Sequence, residues 1–337
     1  DADPGHYVDQ PGQSTQTACL AGTFQASTGQ SSCDDADPGH YVDQPGQSTQ
    51  TACLAGTYNP NTGSTTSTDC LNADSGHYVD SSLGPGQSTQ TACLAGTYNP
   101  NTGSTTSTDC LVADQGHYVE QTGQSAQTAC LAGTYNPNTG STTSTDCLSA
   151  DSGYYVDSSL GSGQPSQTAC NAGTYNPNTG STTPSDCLSA DPGHYVDATL
   201  GPGQSTQTAC LPGTFNPLAG SMHNACVDAY PGYYVDQTGQ STQIACLAGT
   251  YNPSTGSTTS TDCLDADAGY YVDQTGQPSQ TACLAGTYNP NTGSTAFADC
   301  LYADLGHYVD ASLGPGQSAQ VACNVGTYNP NTGSTTP

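Results

Sequence analysis

Four kinds of side chain in this sequence could do chemistry, and all four recur at fixed spacing. The 337-residue chain holds 17 cysteines, and the gaps between them alternate between 17 residues (14 and 16 in two places) and 20 or 23. Thiols repeated this regularly point to disulfides in an oxidising compartment. A catalytic nucleophile needs a single constellation in a pocket instead. Among the seven histidines, His6, His40, His77, His117, His194 and His307 all sit in Gly-His-Tyr, where an imidazole could hold a metal or move a proton. Sister copies place Tyr154, Tyr233 and Tyr270 in the same slot. A position that accepts either ring requires a flat side chain with a polar tip, so packing is the favoured role. His223 lies outside the pattern.

The acidic residues and hydroxyls are read in the same way. Asp35-Ala-Asp37 with Asp43, and Asp265-Ala-Asp267 with Asp273, place oxygens at alternating positions, as a Ca²⁺ loop does. The first Asp becomes Asn72, Val112, Ser149, Ser189 and Tyr302 elsewhere, and Asp-x-Asp-x-Asp-Gly is absent. Turn capping and solvation are therefore expected, with Ca²⁺ a weak second and no other cofactor. Ser/Thr runs such as Ser64-Thr-Thr-Ser-Thr68 need be no more than polar loop, yet Thr clustered beside Gly and Pro suits O-glycan attachment. The candidate acceptors are Thr65, Thr66 and Thr68; Thr105, Thr106 and Thr108; Thr142, Thr143 and Thr145; and Thr258, Thr259 and Thr261. Asn-x-Ser/Thr occurs only as Asn252-Pro253-Ser254, which its proline blocks. Ser, His and Asp exist only as repeated units, so no enzyme is expected.

Composition narrows the partners. The chain has no Lys or Arg and a formal net charge of −28. It cannot neutralise phosphates, which excludes nucleic acid and anionic membrane surfaces. No stretch approaches the roughly 20 apolar residues of a membrane span, so direct insertion is excluded for this segment. Only 33% of residues are hydrophobic, too few for a shared core, and covalent staples must make up the deficit.

The elements that must position these residues are repeats. Ala-Asp-x-Gly-His/Tyr-Tyr-Val begins at Ala2, Ala36, Ala73, Ala113, Ala150, Ala190, Ala266 and Ala303, and Ala229-Tyr-Pro-Gly232 supplies a ninth copy. The repeats run 1–34, 35–71, 72–111, 112–148, 149–188, 189–227, 228–264, 265–301 and 302–337. Each holds two diverged half-units, A (Gly-His-Tyr) and B (Gly-Thr-Tyr), both ending in Cys. The longer gaps come from a three-residue insertion in the A loop, as in Asp80-Ser-Ser-Leu-Gly-Pro-Gly86, where lengthening costs little.

Two disulfide registers fit this spacing. One closes half-unit B: Cys19–Cys33, Cys53–Cys70, Cys93–Cys110, Cys130–Cys147, Cys170–Cys187, Cys210–Cys226, Cys246–Cys263 and Cys283–Cys300, leaving Cys323 for a partner beyond Pro337. The other closes half-unit A, from Cys33–Cys53 to Cys300–Cys323, leaving Cys19 alone. The first is favoured for its nearly constant loop. No helical period occurs. Tyr78-Val79 and Tyr118-Val119 are the expected short strands, and Asn99-Pro-Asn-Thr-Gly103 is a strong turn signal. The expected fold is small, disulfide-rich and mostly irregular with short β-strands, a linear tandem-repeat rod with no helix.

Cys53-Leu-Ala-Gly-Thr-Tyr-Asn-Pro-Asn-Thr-Gly-Ser-Thr-Thr-Ser-Thr-Asp-Cys70 resembles the ephrin-receptor-like (GCC2/GCC3) cysteine-rich repeat, as does Cys19-Leu-Ala-Gly-Thr-Phe through Cys33. That family is related to the tumour-necrosis-factor-receptor and growth-factor-receptor modules. The resemblance covers half-unit B throughout. In half-unit A the leading Cys is replaced by Ala, as at Ala73 and Ala113, so that half lacks a staple. The resemblance implies an elongated, disulfide-linked extracellular β module and supports the first register.

Uniform repetition leads to the expectation of an extracellular structural protein: a filament, stalk or surface fibre that associates with itself or with further repeats and carries O-glycans. The alternative is the ectodomain of a cell-surface receptor or adhesin. Its ligand site would lie in the drifted stretch Phe215–Cys226, where Leu218 and Met222 break the pattern.

Overall fold

The computed structural model describes residues 1–336. By its internal contacts the chain divides into two compact units. One comprises Asp1–Asp151, Tyr155–Thr168 and Thr179–Thr183, the other Ser152–Tyr154, Ala169–Asn178 and Pro184–Pro337. Both are small, disulfide-rich tandem-repeat structures with no α-helix among the described residues.

Each half-unit except the last folds as one antiparallel hairpin of two-residue strands. In the second repeat, β1 (His40–Tyr41) pairs with β2 (Thr51–Ala52) in half-unit A. In half-unit B, β3 (Thr57–Tyr58) pairs with β4 (Leu71–Asn72). The 71/72 and 111/112 repeat boundaries thus fall inside the strands Leu71–Asn72 and Leu111–Val112. The expected strands Tyr78-Val79 and Tyr118-Val119 lie one residue earlier, at His77–Tyr78 and His117–Tyr118. The physical reason is where the valine amide goes: Val79 N–H donates to Ser104 O in the next half-unit (2.9 Å), not across its own hairpin.

A lone two-stranded hairpin is marginal in water. Here each one is completed by the half-unit that follows. Gly39 N–H donates to Asn59 O (2.7 Å), Val42 N–H to Ser64 O (3.0 Å), and Gly63 N–H returns a bond to Ala36 O (2.8 Å). The next joint repeats the last two, Asn59 N–H to Gln87 O (3.0 Å) and Gly86 N–H to Cys53 O (2.9 Å); the counterpart of the first is made where a short A loop follows, as from Gly96 N–H to Val119 O (2.8 Å). The same bonds recur in the second unit, from Gly232 to Asn252, Asn252 to Gln277 and Gly256 to Ala229. Gly-x-Tyr begins with glycine because Gly39 has φ +84° and lies against the Gly86 carbonyl of the next repeat, where any Cβ would collide.

The core is correspondingly thin. Half-unit A buries an alanine and a valine, such as Ala73 and Val79; half-unit B buries a cysteine and an asparagine, such as Cys93 and Asn99. Val79 and Asn99 are equivalent, the fourth residues of Gly-His-Tyr-Val and Gly-Thr-Tyr-Asn. An amide survives there because its bonds are all made. Asn99 Nδ2 donates to His77 O (3.1 Å) and Ser104 Oγ (2.7 Å), and Oδ1 accepts from Asn101 N–H (3.1 Å).

One-turn 3₁₀ segments complete the pattern. Ser67–Asp69 precedes the second cysteine of half-unit B, and Ser81–Leu83 forms in the A-loop insertion. The insertion is therefore ordered rather than slack. Gln87 Nε2 donates to Asp80 O and to Gly84 O (3.1 Å), and Ser81 N–H donates to Thr105 O in the following half-unit (3.0 Å). A parallel bridge, Tyr58 to Gln87, forms at the joint leading into this long loop and recurs as Tyr135 to Gln164, Tyr175 to Gln204 and Tyr288 to Gln317.

Candidate functional site: staples, clasps and exposed hydroxyls

The structure joins Cys19–Cys33, Cys53–Cys70, Cys93–Cys110 and Cys130–Cys147 in the first unit. In the second it joins Cys170–Cys187, Cys210–Cys226, Cys246–Cys263 and Cys283–Cys300. All lie within half-unit B, and Cys323 has no disulfide partner among the described residues. The first cysteine of each pair is buried, since its place is the core position that alanine fills in half-unit A. Closing a loop of this length stabilises by about 3 kcal/mol in the chain-entropy model.

Half-unit A has a lock of its own at the equivalent place. Gln90 immediately precedes its strand, as Cys70 does in half-unit B. Its Oε1 accepts from Asp74 N–H (2.7 Å) and its Nε2 donates to Asp74 Oδ2 (2.6 Å). The two-point clasp recurs between Asp114 and Gln127, Asp191 and Gln207, and Asp267 and Gln280. Where Tyr230 replaces the aspartate, the backbone bond to Gln243 persists (2.8 Å). Half-unit A holds no disulfide among the described residues, and an amide–carboxylate clasp stands in its place.

The aspartates are used locally. Asp37 clasps Gln50, Asp35 and Asp265 sit in exposed strands, and Asp69 Oδ2 accepts from Thr65 N–H (2.9 Å) and Thr66 N–H (3.0 Å). Asp80 caps Ser81–Leu83 by accepting from the hydroxyl (2.6 Å) and N–H (2.9 Å) of Ser82, which hold its carboxyl below the usual range. Asp197 and Asp310 are lowered in the same way by Thr199 and Ser312. Among the described residues no group of three or more His, Cys, Asp or Glu is arranged to hold a metal ion.

The Gly-His-Tyr rings cover glycines of the next repeat. A Cβ on Gly86 would lie 3.2 Å from Cε1 of His40, and one on Gly276 would lie 2.8 Å from Oη of Tyr233. His and Tyr thus fill the same half-buried slot.

Most candidate acceptor threonines face solvent. Thr65, Thr66, Thr68, Thr108, Thr142, Thr143, Thr145, Thr258, Thr259 and Thr261 are exposed, whereas Thr105 and Thr106 are half-buried. Thr66 Oγ1 and Thr68 Oγ1 lie 2.6 Å apart, as do those of Thr259 and Thr261. The neighbouring Ser64 is buried and accepts from Asn59 Nδ2, so the Ser-Thr-Thr-Ser-Thr run contains one core hydroxyl and several surface ones. In the eighth repeat Ala296-Phe297-Ala298 takes the place of Thr-Ser-Thr, and Phe297 packs edge-on against Tyr271 at 6.2 Å.

The drifted stretch Phe215–Cys226 lacks the 3₁₀ turn of its sisters. Met222 lies against Gly173, where other copies place threonine, and Leu218 is exposed. The sequence reading missed the buried asparagines, because Asn-Pro-Asn-Thr-Gly already reads as a turn, and the glutamine clasp, because Gln-Thr-Ala reads as polar loop. Aligning half-unit B with the long-loop copies of half-unit A would have exposed both, since Asn59 falls on Val79 and Cys70 on Gln90. No helix among the described residues is long and apolar enough to cross a membrane. No protein-family model matches the chain, and no curated protein is found to be similar to it.

Proposed function

We propose that this chain is an extracellular structural protein that forms a filament, stalk or surface fibre and carries O-linked glycans on its exposed threonines. It has no catalytic role. The supporting observation is that each hairpin is completed by backbone bonds to the half-unit that follows, while disulfides and clasps lock each half-unit internally. The disulfides belong to an oxidising compartment. The exposed pair Thr66 and Thr68 supplies glycan acceptors whose modification leaves the core untouched. Kinship with ephrin-receptor-like modules rests on Cys-Leu-Ala-Gly-Thr-Tyr and is part of the same proposal.

Electron microscopy of the secreted protein, with intact mass before and after deglycosylation, tests this. Filaments and a mass excess removed by O-glycan cleavage are expected. Isolated particles without glycan would overturn it. The break in pattern at Phe215–Cys226 favours one second reading, a ligand-binding ectodomain. Loss of a partner's binding on Leu218→Ser and Met222→Thr would support that reading.

A further inference from the structure

Seven of the nine B half-units place a leucine directly after their first cysteine, and the fold leaves that side chain in water. In the first unit these are Leu20, Leu54, Leu94 and Leu131, each 72–79% exposed. The second unit has Leu211, Leu247 and Leu284, each 61–73% exposed. Scattered apolar residues on a surface need no explanation, but a series at one position of the repeat does.

The fold does not require leucine there. The carbonyl of Leu54 accepts from Thr57 N–H (3.0 Å) and Thr57 Oγ1 (2.8 Å), and Asn171 makes both bonds equally well, from Thr174 at 3.0 and 2.8 Å. A polar side chain is therefore compatible with the same backbone, and Asn324 is a second example. Successive B half-units also lie directly on one another. The methyl of Thr105 lies against Gly56, two residues beyond Leu54, and that of Thr142 against Gly96, two beyond Leu94. Leu54, Leu94 and Leu131 consequently form a column that advances one repeat at a time. Half-unit A carries the clasped aspartate at this position, and since A half-units stack on A half-units, the aspartates form a series of their own and the column on B is apolar.

We propose that this leucine column is a contact between two copies of the chain, laid side by side. Two observations select a second copy over another apolar partner. A partner meets every leucine only if its own apolar groups recur at the same interval, which an identical chain does and which makes the surface self-complementary. With no Lys or Arg and a net charge of −28, no contact between copies can contain a Lys or Arg ion pair, so association must use an uncharged surface. It must also strengthen as salt screens the remaining repulsion.

The inference rests on the structural reading above and names the surface by which copies would associate. The test is sedimentation of the full glycosylated chain at low and high NaCl, wild type beside a Leu54→Asn/Leu94→Asn/Leu131→Asn variant. Asparagine is the residue that Asn171 already uses, and an unchanged thermal unfolding curve shows that the variant is folded. The wild type is expected to associate more tightly as salt rises, and the variant to show a dissociation constant raised at least tenfold. Equal association of both proteins would overturn the column and leave the filament reading standing. A wild type that is monomeric at every salt concentration would overturn the column together with any fibre made of many chains, while a single-chain stalk seen by microscopy would remain.

Discussion

Inside seven of the nine B half-units a buried asparagine does what a hydrophobic residue does elsewhere, and Asn99 also holds three polar neighbours. Removing the Asn99 amide strands the His77 carbonyl, the Ser104 hydroxyl and the Asn101 N–H in or beside the core. Asn99→Ala is expected to cost about 1–3 kcal/mol, the usual penalty for an unpaired buried group, with faster hydrogen exchange confined to the adjoining joints. Equal exchange throughout the chain would contradict this. The tyrosines give a second residue-level expectation. Burial, and secondarily Asp74, Asp151 and Asp191, raise the pKa of Tyr58, Tyr135 and Tyr175. A raised phenol favours folding below its unfolded value of about 10, and that contribution is lost as pH climbs through the folded value. Melting temperature should therefore fall in strong base. Phe215 occupies the equivalent slot, so a Tyr58→Phe/Tyr135→Phe/Tyr175→Phe variant should fold and keep its melting temperature to higher pH. Circular dichroism melts would show it. For Asp80, Asp197 and Asp310 the sign is opposite: their lowered carboxyls favour the capped turns above about pH 4, and the turns fray as pH falls below.

Staple and clasp are interchangeable solutions to the same local problem, which is to tie the start of a hairpin to the residue before its second strand. If Ala73 and Gln90 are the counterparts of Cys53 and Cys70, the double substitution Ala73→Cys/Gln90→Cys should close a disulfide without rearrangement. Non-reducing mass spectrometry would find one extra bond and thermal unfolding would shift upward; two free thiols would refute the equivalence. Much of this level was legible beforehand. Evenly spaced Cys and the Gly-x-Tyr phrase announce the hairpins, because a loop of near-constant length and a positive-φ glycine each have few structural meanings. The strand position was displaced by one residue, since Val79 looks like a strand residue by type and is recruited instead by the next half-unit. The ordered A-loop insertion was not legible either: Asp80-Ser-Ser-Leu-Gly becomes a turn only through the Ser82 bonds to Asp80 and the bond to Thr105.

Across the whole chain, 28 acidic residues stand with no lysine or arginine to balance them. Carboxylates that are not clasped or capping repel one another, and dissolved cations relieve that repulsion. Raising NaCl from about 0.01 to 0.15 M shortens the screening length from about 30 to 8 Å and should raise the melting temperature, the reverse of a protein held by ion pairs. CaCl₂ at matched ionic strength should do little more, because no three acidic or other metal-binding side chains among the described residues converge on one point. A large Ca²⁺-specific increase reversed by EDTA would instead reveal a site.

The joint between half-units has one further consequence, and it concerns heredity. The A half-units of the seventh and eighth repeats take the same backbone bonds from the B half-unit before them, Gly213 N–H to Val235 O and Asn216 N–H to Gln240 O in one, Gly249 N–H to Val272 O and Asn252 N–H to Gln277 O in the other, so excising residues 229–265 would bring Asp228 up to Ala266 across an unchanged joint. Loss or gain of a single half-unit would set valine where asparagine is needed. Misaligned exchange between copies of the gene should therefore be tolerated in whole repeats alone. Natural variants of this chain are expected to differ in length by steps of about one repeat (37 or 40 residues between Ala36, Ala73 and Ala113), and never by half a step.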